Sequence, residues 1–231
     1  MKTSFWNRLL DLVSPRGCAV CGRRLGVAQS VFCAPCELHI PFTFYERSPY
    51  DNPMARLVWG HISVERAAAL FFYEPGSPAS QMIYDLKYHG RYEIGRSLGQ
   101  FAARRFDAED FFSDIDALVP IPLTWRRRLH RGYNQSYEIA RGVKTVTGLP
   151  IYNKVVRRIR FTQSQTARHS SERWENVEGA FRLVAPQKIE GCHLLLIDDI
   201  ITTGATLVSC ARELARVPGV RISILTLGCT R

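Results

Sequence analysis

Apolar residues in the second half of the chain recur with the spacing of buried strands and amphipathic helices. The run from His193 to Ile197 is almost wholly apolar, which predicts a strand buried on both faces of a parallel sheet. Shorter apolar runs over 117–119 and 221–227 predict two further strands. Helical spacing of apolar positions over about 132–146 and 205–217 places helices between the strands. This alternation predicts an α/β fold with a parallel sheet flanked by helices.

The first half of the chain is less regular. Apolar residues at helical spacing over 79–106 predict helices with a break at Gly90. Residues 4–13 also have helical spacing, and we expect this short helix to pack against its own protein rather than to lie on a membrane. The segment 41–78 is aromatic and irregular, so its pattern assigns no element.

Between the predicted helix at 132–146 and the buried strand, the pattern indicates short extended segments. One lies within 151–159 and another spans about 177–184. The residues between them, about 160–175, are polar, basic and poor in aliphatic side chains. We expect them to form a mobile loop.

Candidate chemistry follows the buried strand directly. Asp198 and Asp199 would stand at the carboxyl end of the strand, the edge at which open α/β sheets bind ligands. Small hydroxylated residues then surround Gly204, where the chain turns into a helix, so backbone N–H groups and hydroxyls could hold a phosphate. This combination predicts a site for a phosphorylated sugar. The alternative is an acidic strand end followed by a threonine-capped helix.

The net charge of +10 is concentrated in one segment of the chain. Between Pro120 and Arg173 there are twelve Lys or Arg residues and two acidic residues, whereas the rest is balanced. Such a segment suits a polyanion, either pyrophosphate or a nucleic-acid backbone; the alternative is a solvated basic face. The candidate nucleic-acid contacts are Arg126, Arg127, Arg128, Arg157, Arg158 and Arg160. Aromatic residues that could stack on bases, or instead belong to the core, are Trp125, Tyr133, Phe161 and Trp174.

Four of the seven cysteines form two Cys-x-x-Cys pairs near the N-terminus. They are Cys18, Cys21, Cys33 and Cys36. Two such pairs supply four thiolates, the ligand set of a closed, tetrahedral structural zinc site. A redox dithiol or a rubredoxin-like iron site would be the alternatives, although no neighbouring residue indicates redox chemistry. The other three cysteines lie in or beside apolar segments, and we expect them to be inert.

Several classes of protein are disfavoured by the sequence. It contains neither a Gly-x-x-x-x-Gly-Lys loop nor a Gly-x-Gly-x-x-Gly turn, which argues against P-loop nucleotidases and dinucleotide-binding enzymes. No apolar run is long enough to predict a membrane span. The first residues lack the pattern of a secretory signal, so we expect a cytoplasmic protein.

The segment from Ile197 to Thr206 resembles the phosphoribosyl pyrophosphate (PRPP) motif of type I phosphoribosyltransferases. With the paired cysteine knuckles, the chain as a whole resembles the ComF family, also called GntX, which is associated with competence and DNA uptake. Further stretches that resemble the signatures of that family are 86–90, 119–122, 131–135, 163–168 and 176–181.

The resemblance implies roles for individual residues. Asp198 and Asp199 would bind the ribose hydroxyls, directly or through Mg²⁺, and would be the catalytic residues of a transferase. The residues that would enclose the 5′-phosphate are Thr202, Thr203, Gly204, Ala205 and Thr206. The residues that would hold pyrophosphate are Pro120, Ile121, Pro122, Leu123 and Arg131. The flexible loop of the family would include Gln163, Gln165 and Arg168.

The sequence thus predicts a type I phosphoribosyltransferase-like parallel sheet with a small N-terminal zinc module. We expect an N-terminal helix and zinc knuckles over 1–40, a linker or hood over 41–110 and the phosphoribosyltransferase-like domain over 111–231. The expected function is binding of PRPP with Mg²⁺, linked to the handling of single-stranded DNA in natural competence. A catalytically active transferase of nucleotide salvage is the alternative, although no residue that selects an acceptor is recognisable. Other DNA-uptake proteins could dock on the zinc module.

Overall fold

The computed structural model describes residues 16–159 and 179–231 of the chain. Its helices are α1 (Ala34–Leu38), α2 (Pro53–Trp59), α3 (Pro78–Tyr88), α4 (Tyr92–Asp107), α5 (Trp125–Arg131), α6 (Gln135–Thr147) and α7 (Ala205–Leu214). Its strands are β1 (Ala67–Phe72), β2 (Ala117–Pro120), β3 (Val156–Arg158), β4 (Phe181–Leu183), β5 (His193–Ile201) and β6 (Arg221–Cys229). Single 3-10 turns occur at Tyr45–Arg47 and Pro186–Lys188.

A parallel sheet with the strand order β1–β6–β5–β2 forms the centre of the fold. β5 lies between β6 and β2, and the apolar residues at its start are fully buried. Leu194 and Leu196 face one core, which α2 and α7 cover. Leu195 and Ile197 face a second core on the other side, which α3, α4 and α6 cover. The predicted strand, buried on both faces of an α/β sheet, is confirmed.

The segment to which the pattern assigned no element forms α2 and β1. Three alanines, Ala67, Ala68 and Ala69, begin β1 and are fully buried where it pairs with β6. Alanine favours helices, so burial between two layers overrides the local preference here. Asn52 fixes the start of α2, because its side chain accepts a hydrogen bond from the N–H of Ala55 at 3.0 Å.

The helices predicted over 79–106 are present as α3 and α4, with Gly90 between them at a φ of 67°. Within the described residues, no helix is long and apolar enough to cross a membrane. A small antiparallel pair, β3 and β4, lies beside the sheet. The expected helix over 4–13 and the polar segment 160–175, with Arg160, Gln163, Gln165 and Arg168, fall outside the described residues.

The two helices that cover one face of the sheet, α4 and α6, cross at two glycines. A Cβ atom at Gly99 would overlap the carbonyl oxygen of Ile139, and one at Gly142 would overlap that of Arg96. The two helix backbones are therefore in direct contact. α3 packs on the same assembly, since the side chain of Leu86 lies only 2.8 Å from an ideal Cβ at Gly95.

The cysteine-rich module is joined to this layer by an aromatic contact. Phe32 is fully buried in the same core as α3, α4 and α6. Its ring packs edge-on against that of Phe101 in α4, with the ring centroids 5.2 Å apart. The division of the chain at residues 40 and 110 stays a prediction.

We predict that Gly142→Ala lowers the free energy of unfolding by about 2 kcal/mol or more, because the new methyl group forces two helix backbones apart. Urea denaturation measures this change. Gly60→Ala is the matched control, because its Cβ would meet no atom within 4 Å and its φ is −66°. Equal stability of the two variants would contradict this account of the helix crossing.

Candidate functional site

The acid pair lies within the last part of β5, at the carboxyl edge of the sheet. β2 ends at Pro120, which pairs with Ile197, whereas β5 continues beside β6 to Ile201. β5 therefore projects beyond β2, and Asp198 and Asp199 stand on the projecting part. The strand is longer than its apolar run predicts, because hydrogen bonding to β6 continues past the two carboxylates.

Asp198 is held by two donors. Its Oδ1 accepts hydrogen bonds from Ser136 Oγ at 2.8 Å and from the N–H of Asp199 at 2.9 Å. Ser136 stands in the first turn of α6, whose N-cap is Asn134. Burial raises the pKa of Asp198, and the adjacent charge of Asp199 raises it further. The charge of Asp198 is thus only partly compensated, which suits a carboxylate that binds a cation or hydroxyl groups.

Asp199 forms an ion pair with a residue from the covering helices. Nζ of Lys87 lies 3.0 Å from Oδ1 of Asp199. Both groups are largely removed from solvent, with 21% of the lysine side chain and 11% of the aspartate side chain exposed. Lys87 belongs to the last turn of α3, so this helix reaches over the edge of the sheet. We call α3 and α4 the hood helices.

The predicted phosphate loop follows β5. Thr202 and Thr203 are in the connection to α7, and Gly204 is the N-cap of that helix with a φ of 78°, which favours glycine. No side chain caps this helix end. Ala205 and Thr206, which the sequence analysis places with the loop, begin α7 itself, and Ala205 is buried in the core. The backbone at this end of α7 has the geometry that favours an anion.

The predicted pyrophosphate turn follows β2 on the neighbouring strand. Pro120 is the last residue of β2, and Ile121 is buried with its N–H bonded to the carbonyl oxygen of Ile197 at 2.9 Å. Pro122 and Leu123 are half-buried. Thr124 then begins α5, because its hydroxyl accepts a hydrogen bond from the N–H of Arg127 at 3.4 Å. The turn therefore lies beside the projecting part of β5.

Two predicted arginines are influenced by the charges of the acid pair. Burial lowers the pKa of Arg127, as does the charge of Arg131, whereas the carboxylates of Asp198 and Asp199 act in the opposite direction. Burial also lowers the pKa of Arg158. The positive charge of Arg127 lowers this pKa further, whereas the negative charge of Asp198 raises it. Both guanidinium groups therefore interact electrostatically with Asp198.

The remaining predicted basic residues are more exposed. Arg126 and Arg128 lie on the exposed part of α5, and Arg157 is exposed on β3. Arg131 ends α5; its guanidinium donates to Gln135 Oε1 at 3.0 Å and lies 5.4 Å from the ring centroid of Tyr88.

The aromatic residues singled out in the basic segment differ in their placement. Trp125 is 68% exposed. Tyr133 is half-buried, and its hydroxyl donates to the carbonyl oxygen of Leu86, so it links α3 to the chain before α6. Phe161 and Trp174 lie outside the described residues. Of the four candidates for stacking, Trp125 is the one whose ring is shown to be accessible.

Lys87 and Ser136 are not among the site residues that the sequence predicts. Lys87 is part of one of the stretches by which the chain resembles the family, so its position carried a signal. Ser136 carried none, because a serine in the first turn of a helix is common. Its contact with Asp198 spans 62 positions of the chain and depends on how α6 packs beside β5.

The four N-terminal cysteines are brought together as expected. Their sulfur atoms all lie within 4.8 Å of one another, and Cys18 and Cys33 are buried. Burial opposes ionisation of Cys18, but backbone hydrogen bonds from Cys21, Cys33 and Val20 outweigh it and lower the pKa of the thiol. A metal ion such as zinc could be held by this thiolate cluster.

The other cysteines do not share these features. Cys210 and Cys229 are buried, and burial raises the pKa of both thiols, to about 12 for Cys229. Burial also raises the pKa of the partly exposed Cys192. Their thiols are therefore protonated at neutral pH, in agreement with inert residues.

No protein-family model matches the chain. Three named relatives match most of it. The DNA utilization protein YhgH of Escherichia coli K12 is 30% identical over 210 residues, covering 86% of this chain and 84% of the relative. The DNA utilization protein YhgH of Salmonella typhimurium is 27% identical over 202 residues, with coverages of 86% and 84%.

The third relative is the competence protein F of Haemophilus influenzae. It is 25% identical over 210 residues, which cover 87% of this chain and 91% of the relative. The three matches cover 86–87% of this chain and 84–91% of the relatives. The chain belongs to the ComF family.

Proposed function

We propose that the protein binds PRPP, or a related phosphoribosyl compound, with Mg²⁺ at the carboxyl edge of β5. The observation that carries this proposal is that negatively and positively charged side chains occur together at the carboxyl edge of the sheet. Asp198 and Asp199 lie within electrostatic reach of Arg127, and Asp198 also of Arg158. A ligand with hydroxyl groups at one end and phosphates at the other complements both sets.

The surrounding elements fit the parts of such a ligand. The carboxylates of Asp198 and Asp199 would bind the ribose hydroxyls, and the loop from Thr202 to Thr206 would enclose the 5′-phosphate. The turn from Pro120 to Leu123, with Arg131 and Arg127 on α5, would bind the pyrophosphate. The three features lie at the ends of the adjacent strands β2 and β5.

The residues present fit a divalent cation as well. Carboxylate oxygens are the ligands that Mg²⁺ prefers, and the ion would neutralise charge on the pyrophosphate oxygens. At present the ammonium group of Lys87 balances Asp199. A cation that binds Asp199 would neutralise this carboxylate in place of Lys87. The ammonium group of Lys87 would then be available to bind the anionic ligand.

We predict that Asp198→Asn weakens the binding of Mg²⁺ and PRPP about a hundredfold or more, measured by calorimetry, because the variant lacks the charge that faces the ligand. Asp51→Asn is the matched control. Asp51 lies before α2, and its exposed carboxylate pairs with Arg56. Because burial raises the pKa of Asp198, its charge is costly at neutral pH, so the variant should unfold at no lower temperature than the wild type.

The outcomes separate binding from catalysis. If the wild-type protein does not bind PRPP with Mg²⁺, or if Asp198→Asn binds it as tightly, the proposal is wrong. Release of pyrophosphate in the presence of a panel of nucleobases, lost in Asp198→Asn, would favour the alternative of a transferase in nucleotide salvage. Binding without such release would favour a sensing or recognition role.

We also propose that the protein takes part in handling single-stranded DNA during competence. The names of its relatives refer to competence and DNA utilization. In the chain itself, α5 has four arginines and no acidic residue in seven positions. Within residues 16–159 and 179–231, the salt bridges use none of Arg127, Arg128 and Arg131. These three arginines suit a phosphate backbone.

We predict that the protein binds an oligothymidylate with an affinity that falls steeply with salt, because bound phosphates release counterions. Arg128→Gln should reduce the slope of log affinity against log salt by about one, as measured by fluorescence anisotropy. Arg216→Gln, which changes an exposed arginine paired with Glu213, is the control and should leave the slope unchanged. Binding that does not respond to salt would contradict this part of the proposal.

For the cysteine cluster we propose a structural zinc ion. Cys33→Ser should reduce the zinc content from about one ion per chain to near zero, measured by mass spectrometry of the metal, because a buried thiolate ligand is lost. Cys192→Ser changes a thiol outside the cluster and should retain the metal. Iron in the purified protein, or an unchanged zinc content in Cys33→Ser, would contradict the assignment.

A further inference from the structure

Three tyrosines of the hood helices present their rings to solvent. Tyr84 is 51% exposed, Tyr88 54% and Tyr92 42%. The rings of Tyr84 and Tyr88, one helical turn apart on α3, are in contact with their centroids separated by 4.8 Å. Tyr84 and Tyr88 form one continuous aromatic surface, which we call the tyrosine platform.

Packing of the core does not account for this platform. The apolar face of α3 is supplied by Met82, Ile83 and Leu86, which are fully buried under the helix. Tyr84 and Tyr88 lie away from that face. Contiguous aromatic rings in solvent are costly to maintain unless a partner covers them, and single exposed residues elsewhere need no such explanation.

A positive charge lies beside the platform. The guanidinium of Arg131 lies 5.4 Å from the ring centroid of Tyr88. Arg131 is the last residue of α5, so this contact places α5 beside the end of α3. Exposed aromatic faces beside arginines are the combination by which proteins hold unpaired bases and their phosphates.

The platform also adjoins the candidate phosphoribosyl site. Tyr88 follows Lys87, whose ammonium group pairs with Asp199. A chain of nucleotides on the platform would therefore pass beside the acid pair, with its phosphates toward the arginines of α5. In duplex DNA the bases are already stacked on one another, so their faces are not available to tyrosine rings.

We propose that bases of single-stranded DNA stack on Tyr84 and Tyr88 while Arg128 and Arg131 contact the backbone. This inference rests on the proposed DNA function and specifies the surface by which the strand is bound. The bases would thus be recognised by tyrosines of α3. This helix lies outside the basic segment 120–173, in which the sequence predicts the nucleic-acid contacts. Stacking on tyrosine is tolerant of sequence, so the surface would accept strands of any composition.

The test measures the affinity of the full-length protein for a fluorescein-labelled oligothymidylate by anisotropy. Tyr84→Ala and Tyr88→Ala should each weaken binding about tenfold, and the double variant more. Tyr88→Phe should retain the wild-type affinity, because the ring remains. The slope of log affinity against log salt should not change in the tyrosine variants, because stacking releases no counterions.

A matched control is available on the other edge of the sheet. Tyr50 precedes β1 and is 63% exposed. The guanidinium of Arg66 lies 5.7 Å from the centroid of its ring. Tyr50→Ala therefore removes an exposed tyrosine beside an arginine far from the platform, and the affinity for DNA should not change. Melting temperatures of the platform variants should match the wild type, since no buried ring is removed.

The results distinguish this inference from the function on which it rests. If the wild-type protein does not bind the oligonucleotide, the proposed DNA function is wrong and the platform loses its ligand. If the wild type binds but the double variant binds equally tightly, the strand lies elsewhere and this inference alone is wrong. Equal competition by duplex DNA would also overturn it, because paired bases cannot stack on the rings.

Discussion

The contact between the backbones of α4 and α6 at Gly99 and Gly142 determines where the parts of the candidate site stand. α6 lies on the sheet and brings Ser136 to Asp198. α4 is held against α6 by the two glycines, and α3 packs on α4 where Leu86 meets Gly95. The position of the hood over the sheet edge, and hence the contact of α3 with Asp199, follows from this crossing. Residues with no chemical role thus set the geometry of those that have one.

The carboxyl edge of the sheet is distinguished by its charged side chains. Two adjacent carboxylates at the end of a buried strand repel each other and are partly desolvated, which raises the pKa of Asp198. A hydroxyl, a backbone N–H and an ammonium group, each from a different element, lower the free-energy cost of placing these two charges together. Arginines on α5 and β3 add positive charge nearby, and their pKa values are lowered by burial. This arrangement supports the proposal that the edge binds a ligand with both hydroxyl groups and phosphates.

Local patterns predicted the features that adjacent residues determine. The apolar run before Asp198 indicated the buried strand, and the spacing of the cysteines indicated their cluster. The alanines of β1 gave no such signal, because only burial between two layers makes them a strand. The contacts of Lys87 and Ser136 with the acid pair join distant parts of the chain, so they depend on packing that no local pattern records. The exposure of Tyr88 is likewise a property of the folded surface.

The burial of Phe32 against Phe101 has a consequence for cooperativity. Phe32 immediately precedes Cys33 in the cysteine cluster, and its ring belongs to the core beneath the hood helices. The order of the cysteine module and the order of α4 are therefore parts of one cooperative unit. Loosening of the cysteine cluster would disturb the packing of the core beneath the hood helices. The cysteine module and the hood helices, which reach over the sheet edge, are thus joined through one shared core.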